Sequence, residues 1–178
     1  MPEKFVLITG CSGGGKSSVL TELARRGFAT FEEPGRQIVK EQLASGGDAL
    51  PWRDAGAFIE LALARSLDNL NAAARLRGPV FFDRGILDAY NHFLQNGLPV
   101  PSHFADAITQ RRYHRQVFLF PPWQEIFGND AERRHTFESA VAEYESLIST
   151  CKQLGYEAVI VPILSVAKRA DFILAKLA

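Results

Sequence analysis

Apolar and polar positions along the chain repeat one unit: a short apolar, β-rich run followed by a stretch with helical spacing. Such runs occur at Phe5 to Thr9, Phe28 to Phe31, Val80 to Phe82, Val117 to Phe120 and Ala158 to Val161. Strands that are apolar at nearly every position are those covered on both faces, and strands separated by helices are joined by parallel crossovers. The pattern predicts an α/β fold, a five-stranded parallel sheet with helices on both faces.

Two helical stretches stand out. From about Glu132 to Leu154, Phe137, Val141, Tyr144, Ile148 and Cys151 form one stripe at helical spacing, and Gly155 marks the end. From about Asp54 to Leu76, apolar residues (Phe58, Leu61, Ala62, Leu63, Leu67, Leu70) occupy much of the circumference, which predicts a well-buried helix. Residues 45–53 and 121–131 combine Gly or Pro with tryptophan. Loops of that kind either close over a ligand or are tethered to the core by the aromatic ring.

Composition narrows the class. At 178 residues, 47% hydrophobic and 22% charged, the chain reads as one globular domain spanning 1–178, without repeats or low-complexity tracts. Twenty basic and twenty acidic residues cancel, so no global field favours nucleic acid or an anionic membrane, and any anion site is local. The start, MPEKFVLITG, lacks the pattern of a secretory signal, and no apolar run nears the roughly 18 residues needed to span a bilayer. Two unpaired cysteines, Cys11 and Cys151, suit a reducing compartment, and cytoplasm is the expectation. His92, His103, His114 and His135 show no metal-ligand spacing and read as surface or packing residues.

The most specific chemistry lies at Gly10 to Ser17, GCSGGGKS, between the first apolar run and the helical KSSVLTELARR. Glycines at 13, 14 and 15 let successive backbone N–H groups turn toward one anion, and the helix start adds unsatisfied amides and a positive dipole end. Lys16 supplies charge to the β and γ phosphates, and the Ser17 hydroxyl suits Mg²⁺. Gly10, Cys11, Ser12, Gly13, Gly14, Gly15, Lys16, Ser17 and Ser18 are the expected nucleotide-binding residues, with Cys11 filling a free position of the motif. The competing reading is a glycine-rich turn with a solvated lysine.

A second anchor is VFFDRG, residues 80–85, which brings Asp83 to the carboxyl end of a strand, where open parallel sheets bind ligands. Asp83 there either holds Mg²⁺ through its water shell or caps the following helix. The next residue is Arg84, where motor ATPases usually place a water-activating Glu.

The phosphate loop, FEEPGRQI, FFDRG with Asp88 five residues after Asp83, DAERR before the long helix, and the terminal VPILSVAKRADFIL together resemble the small predicted ATPases of the AAA-domain group. Those are similar to the nicotinamide riboside kinase domain and, more distantly, to deoxynucleoside and nucleotide kinases. The resemblance implies a P-loop NTPase fold with a small lid. It makes Glu33, of the Glu33-Pro34 pair, the counterpart of a general base, with Glu32 as rival. Alternation along a strand would send only one of the two inward. The alternative is a charged turn opening a helix with Pro34 at its first position.

The same resemblance makes Arg84 a phosphate- or substrate-bracing residue, though the flanking Asp83 and Gly85 depart from the kinase triplet. It assigns Arg133 and Arg134 to a lid that closes on the transferring phosphoryl, and Arg169 to the adenine. Arg36 and Asp88 are candidate substrate-binding residues, with Arg65 a further arginine of undecided direction. No guanine-reading motif occurs, which favours ATP. The expectation is an ATP- and Mg²⁺-dependent kinase acting on a hydroxyl or phosphate of a small nucleoside-like metabolite, with no nucleic-acid or membrane partner. The alternatives are a slow ATPase or nucleotide-dependent switch acting through a protein partner, and a noncatalytic nucleotide sensor.

Overall fold

The computed structural model describes residues 2–128 and 136–178. Five strands, β1 (Phe5–Gly10), β2 (Ala29–Phe31), β3 (Val80–Asp83), β4 (Gln116–Phe120) and β5 (Glu157–Ile160), pair in parallel in the order β2-β3-β1-β4-β5. Each lies within a residue or so of the apolar run that predicts it. Among the described residues seven α-helices accompany them, six between strands and the seventh after β5: α1 (Lys16–Arg25), α2 (Pro34–Ser45), α3 (Ala55–Ala73), α4 (Ile86–Gln95), α5 (Ser102–Gln110), α6 (Phe137–Gln153) and α7 (Val166–Leu177).

Successive strand residues point to opposite faces, and the core divides accordingly. Leu7, Val80, Phe82, Val117 and Leu119 pack with residues of α2 through α6 on one face. Val6, Ile8, Phe81, Phe118 and Phe120 pack with Val19, Leu20 and Leu23 of α1 and with Ala170 and Ile173 of α7 on the other. Phe81, Phe82, Phe118 and Phe120 are essentially fully buried, and each contributes about 1.5–3 kcal/mol of apolar burial. This is the double cover that runs of unbroken apolar character require.

Three helices depart from the sequence pattern, each for a physical reason. α6 runs from Phe137, where the Thr136 hydroxyl caps it by accepting from Ser139 N at 3.1 Å; Glu132, the expected start, lies outside the described residues. Its inward line is Ala140, Leu147, Thr150 and Cys151. Of the expected stripe, Phe137, Val141, Tyr144 and Ile148 are only half-buried. The helix is rotated so that polar groups face α4, where Ser146 and Thr150 bond Asn91.

α3 buries a single line (Ile59, Ala62, Leu63, Ser66, Leu70, Ala73), and Leu61 stays 41% exposed. α5 has no counterpart in the apolar pattern, since a nine-residue helix with Phe104, Ala107 and Ile108 inward offers too few turns for periodicity to stand out.

The register places the loops that matter together. Ile8 lies beside Asp83 and Gly10 beside Phe120, so the segments following β1, β3 and β4 leave the sheet at one edge. β1, flanked by β3 and β4, sits at the point where the chain switches sides, the position at which α/β sheets open a crevice.

Candidate nucleotide and acceptor site

Residues 10–15 wrap the end of β1. Gly10 has φ 117°, and a Cβ there would stand 2.4 Å from the Phe120 carbonyl oxygen, so no other residue fits. Gly13 and Gly15 also have positive φ, at 75° and 85°, and Gly15 precedes the first turn of α1 directly. The N–H groups of that turn have no intrahelical acceptor, which leaves them to a ligand. The loop is pinned by Cys11 N donating to Phe120 O at 2.8 Å and Gly14 N donating to Cys11 O at 3.1 Å.

Lys16 is only 3% exposed, and its Nζ donates to Cys11 O at 2.8 Å. Burial, then the charge of Arg84, lowers its pKa. The Cys11 thiol is buried beneath the loop and donates to Ser12 O, and burial raises its pKa, as suits a packing thiol rather than a reactive one.

A hollow of about 590 Å³ opens on one side of this loop, between α1, the turn after β4 and the start of α7. Lys16, Ser17, Ser18, Trp123, Leu164 and Arg169 border it. Arg169, 4% exposed, donates to Gly14 O at 3.1 Å and lies 5.2 Å from the centroid of Trp123 and 5.4 Å from that of Phe120. Burial lowers its pKa. The loop after β4 thus meets the expected arginine through Trp123, while Trp52, in the other aromatic loop, is 36% exposed and Leu50 is the buried anchor there.

At the end of β3, Asp83 is 3% exposed. Ser17 Oγ donates to its Oδ2 at 3.5 Å, and its Oδ1 has no hydrogen-bond partner among the described residues. Burial, reinforced by the charge of Glu33, raises its pKa to about 6. The start of α4 is capped by Asp88, whose Oδ2 accepts from Gly85 N at 2.9 Å, so Asp83 is not occupied as a helix cap. A hydroxyl and an orphaned carboxylate oxygen fit Mg²⁺, which takes few protein oxygens and keeps water and phosphate as its other ligands. Among the described residues no group of three or more His, Cys, Asp or Glu forms a metal cage.

Arg84 is the hub of the other side. It is the one non-glycine residue with positive φ, 60°, among the described residues, a strain that surrounding contacts hold in place. Nη1 donates to Asp88 at 3.0 Å and to Glu143 at 2.7 Å, and Nη2 to Gly10 O at 3.2 Å. Glu33 Oε1 lies 3.5 Å from Nε. Burial opposes its charge, but Glu143, Asp88 and Glu33 outweigh that and raise its pKa well above the ordinary value. Asp88 also accepts from the Thr9 hydroxyl, and burial raises its pKa.

A second cavity, about 270 Å³, lies beside this cluster and is walled by α2, α3, α4 and α6. Glu33, Arg36, Arg84 and Asp88 all border it. Glu32 is exposed, accepts from Gln37 and borders, with Glu33, a third hollow of about 580 Å³ beside Ser17 and Asp83; of the two, Glu33 alone reaches the second cavity. Arg65 is absent from the wall and pairs with Glu41 at 2.9 Å. Arg133 and Arg134, with the expected lid, lie outside the described residues.

Sequence reasoning missed Glu143 and Asn91, while Trp123 lies in the aromatic loop 121–131 that it singled out. The signal for Glu143 was a charge lying between Ala140 and Leu147 on the inward line of a helix. His92 also borders the second cavity, and burial lowers its pKa; His103 pairs with Glu60 at the surface.

A glycine cradle after β1, an acidic residue ending β3 and a parallel sheet ordered β2-β3-β1-β4-β5 define the α/β P-loop NTPase fold. The chain belongs to the AAA domain family, which matches residues 5–169. No curated protein matches it in sequence.

Among solved structures, it is similar to deoxyadenosine kinase from M. mycoides with dCMP and dCDP bound, at TM-score 0.69 and 18% identity, covering 97% of this chain and 98% of that one. It is similar to NadR protein in complex with NR, at TM-score 0.72 and 19% identity, over 98% of this chain and 51% of that one. Shikimate kinase from Acinetobacter baumannii in complex with shikimate follows at TM-score 0.57 and 14% identity, covering 98% and 92%. At these identities the likeness is one of fold. No described helix is long and apolar enough to cross a membrane.

Proposed function

We propose that the protein is an ATP-dependent kinase that transfers the γ-phosphoryl group to a hydroxyl of a small, nucleoside-like metabolite. One observation carries this reading: two hollows flank the phosphate loop, the first bordered by Lys16 and Ser17, the second by Ser12, Glu33 and Arg84. A protein that only hydrolyses or senses a nucleotide has no need of the second. Two of the similar structures named above are kinases of small molecules, deoxyadenosine kinase and shikimate kinase, which supports the same reading.

In this reading ATP occupies the first hollow with its phosphates on the glycine cradle, and Trp123 and Arg169 border the base. Lys16 gives up its bond to Cys11 O to meet the β and γ phosphates. Mg²⁺, held by Ser17 and Asp83, would neutralise charge on the phosphate oxygens. The acceptor hydroxyl in the second cavity faces Glu33. Its oxygen forms a bond to the γ-phosphorus, the bond to the bridging oxygen breaks, ADP leaves, and the hydroxyl proton passes to the Glu33 carboxylate. Arg84 holds Glu33, Asp88 and Glu143 in place and braces the loop at Gly10 O. Arg133 and Arg134 are proposed to close over the transferring group, and Arg36 and Asp88 to contact the acceptor.

The test is ADP release from purified protein with Mg·ATP and a panel containing deoxyadenosine, nicotinamide riboside and shikimate. Acceleration by a nucleoside-like member supports the proposal. Intact ATP binding with no acceleration across nucleosides and sugars overturns it.

A further inference from the structure

The second cavity has two chemically different ends. Beside the phosphate loop stand Ser12, Glu33, Arg84 and Asp88; away from it stand Phe58, Ile59 and Ala62 of α3, and one buried amide, Asn91 of α4. Asn91 is 2% exposed. Three residues beyond Asp88, it lies about 4.5 Å farther along the same helix face.

The orientation of this amide is fixed from behind. Ser146 Oγ and Thr150 Oγ1, both on α6, stand 2.7 Å from Asn91 Oδ1. Both hydroxyls donate to that oxygen, which turns the amide nitrogen the other way. Nδ2 then has no partner among the described residues. Among the described residues the side-chain atoms sealed off without a partner are Asp83 Oδ1, Arg84 Nε and Arg169 Nε, and Asn91 Nδ2 is not among them. The space that Asn91 borders is the cavity. A donor held this firmly and left unpaired costs free energy until something accepts from it.

Charge sets a second limit. Glu33, Asp88 and Glu143 bring three carboxylates to the wall against the guanidiniums of Arg84 and Arg36, and Arg84 is already bonded to Asp88 and Glu143. An anionic ligand would enter an acidic wall whose central cation is taken.

We infer that this cavity selects an acceptor without negative charge, whose hydroxyl end lies against Glu33. Its far end presents a lone pair, on a carbonyl oxygen or ring nitrogen, to Asn91 Nδ2. The inference rests on the kinase reading for the word acceptor and adds to it the residue that chooses the molecule. Asn91 is a specificity-determining residue: a site built to donate to a ligand rejects an analogue with nothing to accept.

The experiment is titration calorimetry on the full chain, with Mg·AMP-PNP saturating the first hollow. The probes are cytidine, uridine and inosine; methyl β-riboside, the same sugar without a heterocycle; and quinate, a hydroxylic anion. Binding by at least one nucleoside is expected, with methyl riboside at least about tenfold weaker and no quinate binding.

Asn91→Asp keeps oxygens for Ser146 and Thr150 while replacing the donor. It should weaken the nucleoside about 10- to 100-fold and leave AMP-PNP affinity unchanged. If that variant does not fold, the side-chain amide signal of Asn91 in the native protein decides, since it must shift when the nucleoside is added. Equal affinity in Asn91→Asp, quinate binding as tight as a nucleoside, an unmoved amide signal, or no binding by any nucleoside overturns the inference. Binding through Asn91 without phosphoryl transfer would sink the kinase reading alone, whereas transfer that Asn91→Asp leaves unaltered would sink this inference alone.

Discussion

The two hollows beside the phosphate loop are built from different materials. The loop end of the first is shaped by main chain, glycines at positive φ and the amides opening α1, while Trp123, Leu164 and Arg169 close its other end. The second is shaped by side chains that converge from α2, α3, α4 and α6. Backbone geometry depends on neighbours in sequence, so the glycine loop at that end is general and local, the kind of cradle a phosphate chain would fit. A wall assembled from four helices can be rewritten residue by residue, and that is where selectivity belongs.

The division can be broken or sharpened by substitution. Lys16→Ala removes the one full charge of the cradle and is expected to lower phosphoryl transfer about 10³-fold, read as ADP release at saturating acceptor. A loss below tenfold would remove the cradle from the chemistry. Glu33→Gln should lower turnover about 10²-fold, by the usual worth of a positioned base, while leaving Mg·ATP affinity as it was. If nucleotide affinity fell in parallel, the two sides would not be separable. Trp123→Ala is expected to weaken ATP about tenfold, measured by calorimetry, with the acceptor's KM unchanged.

The smallest effect concerns Asp83. Its folded pKa, near 6 against 3.8 for the free side chain, means that it favours the folded state most at low pH. That contribution is complete below about pH 4 and is lost as pH rises through 6, when a buried charge must form. Asp83→Asn, neutral throughout, should therefore raise the melting temperature of the ligand-free protein at pH 8 by on the order of 5 °C. The gain should shrink as pH falls below 6, and the magnesium enhancement of ATP binding should disappear. A variant that melts lower at pH 8 would show that Asp83 is a structural partner of Ser17 rather than a reserved ligand.

What sequence could reveal follows the same line. The five strands, the glycine cradle and the arrival of Asp83 at a strand end are each fixed within a few consecutive residues, and they are found where the pattern places them. Glu33 and Glu32 could be ranked only in space, by the ion pair of one with Arg84 and the exposure of the other. The rotation of α6 escaped because apolar periodicity weighs Val141 and Ile148 above Glu143, Ser146 and Thr150, yet the polar residues have partners on α4 and Arg84 that draw them inward. Nothing in the sequence around Asn91 marks it out. Only the two hydroxyls behind it turn its amide outward.

Arg84 ties these parts into one body. A single guanidinium touches the last carbonyl of β1, the first turn of α4, the middle of α6 and the carboxylate that precedes α2. A molecule that pulls Glu33 or Glu143 away from it on one side loosens its hold on Gly10 on the other. On the proposed reading, occupants of the two hollows are therefore expected to alter each other's affinity, and by reciprocity each would do so by the same factor.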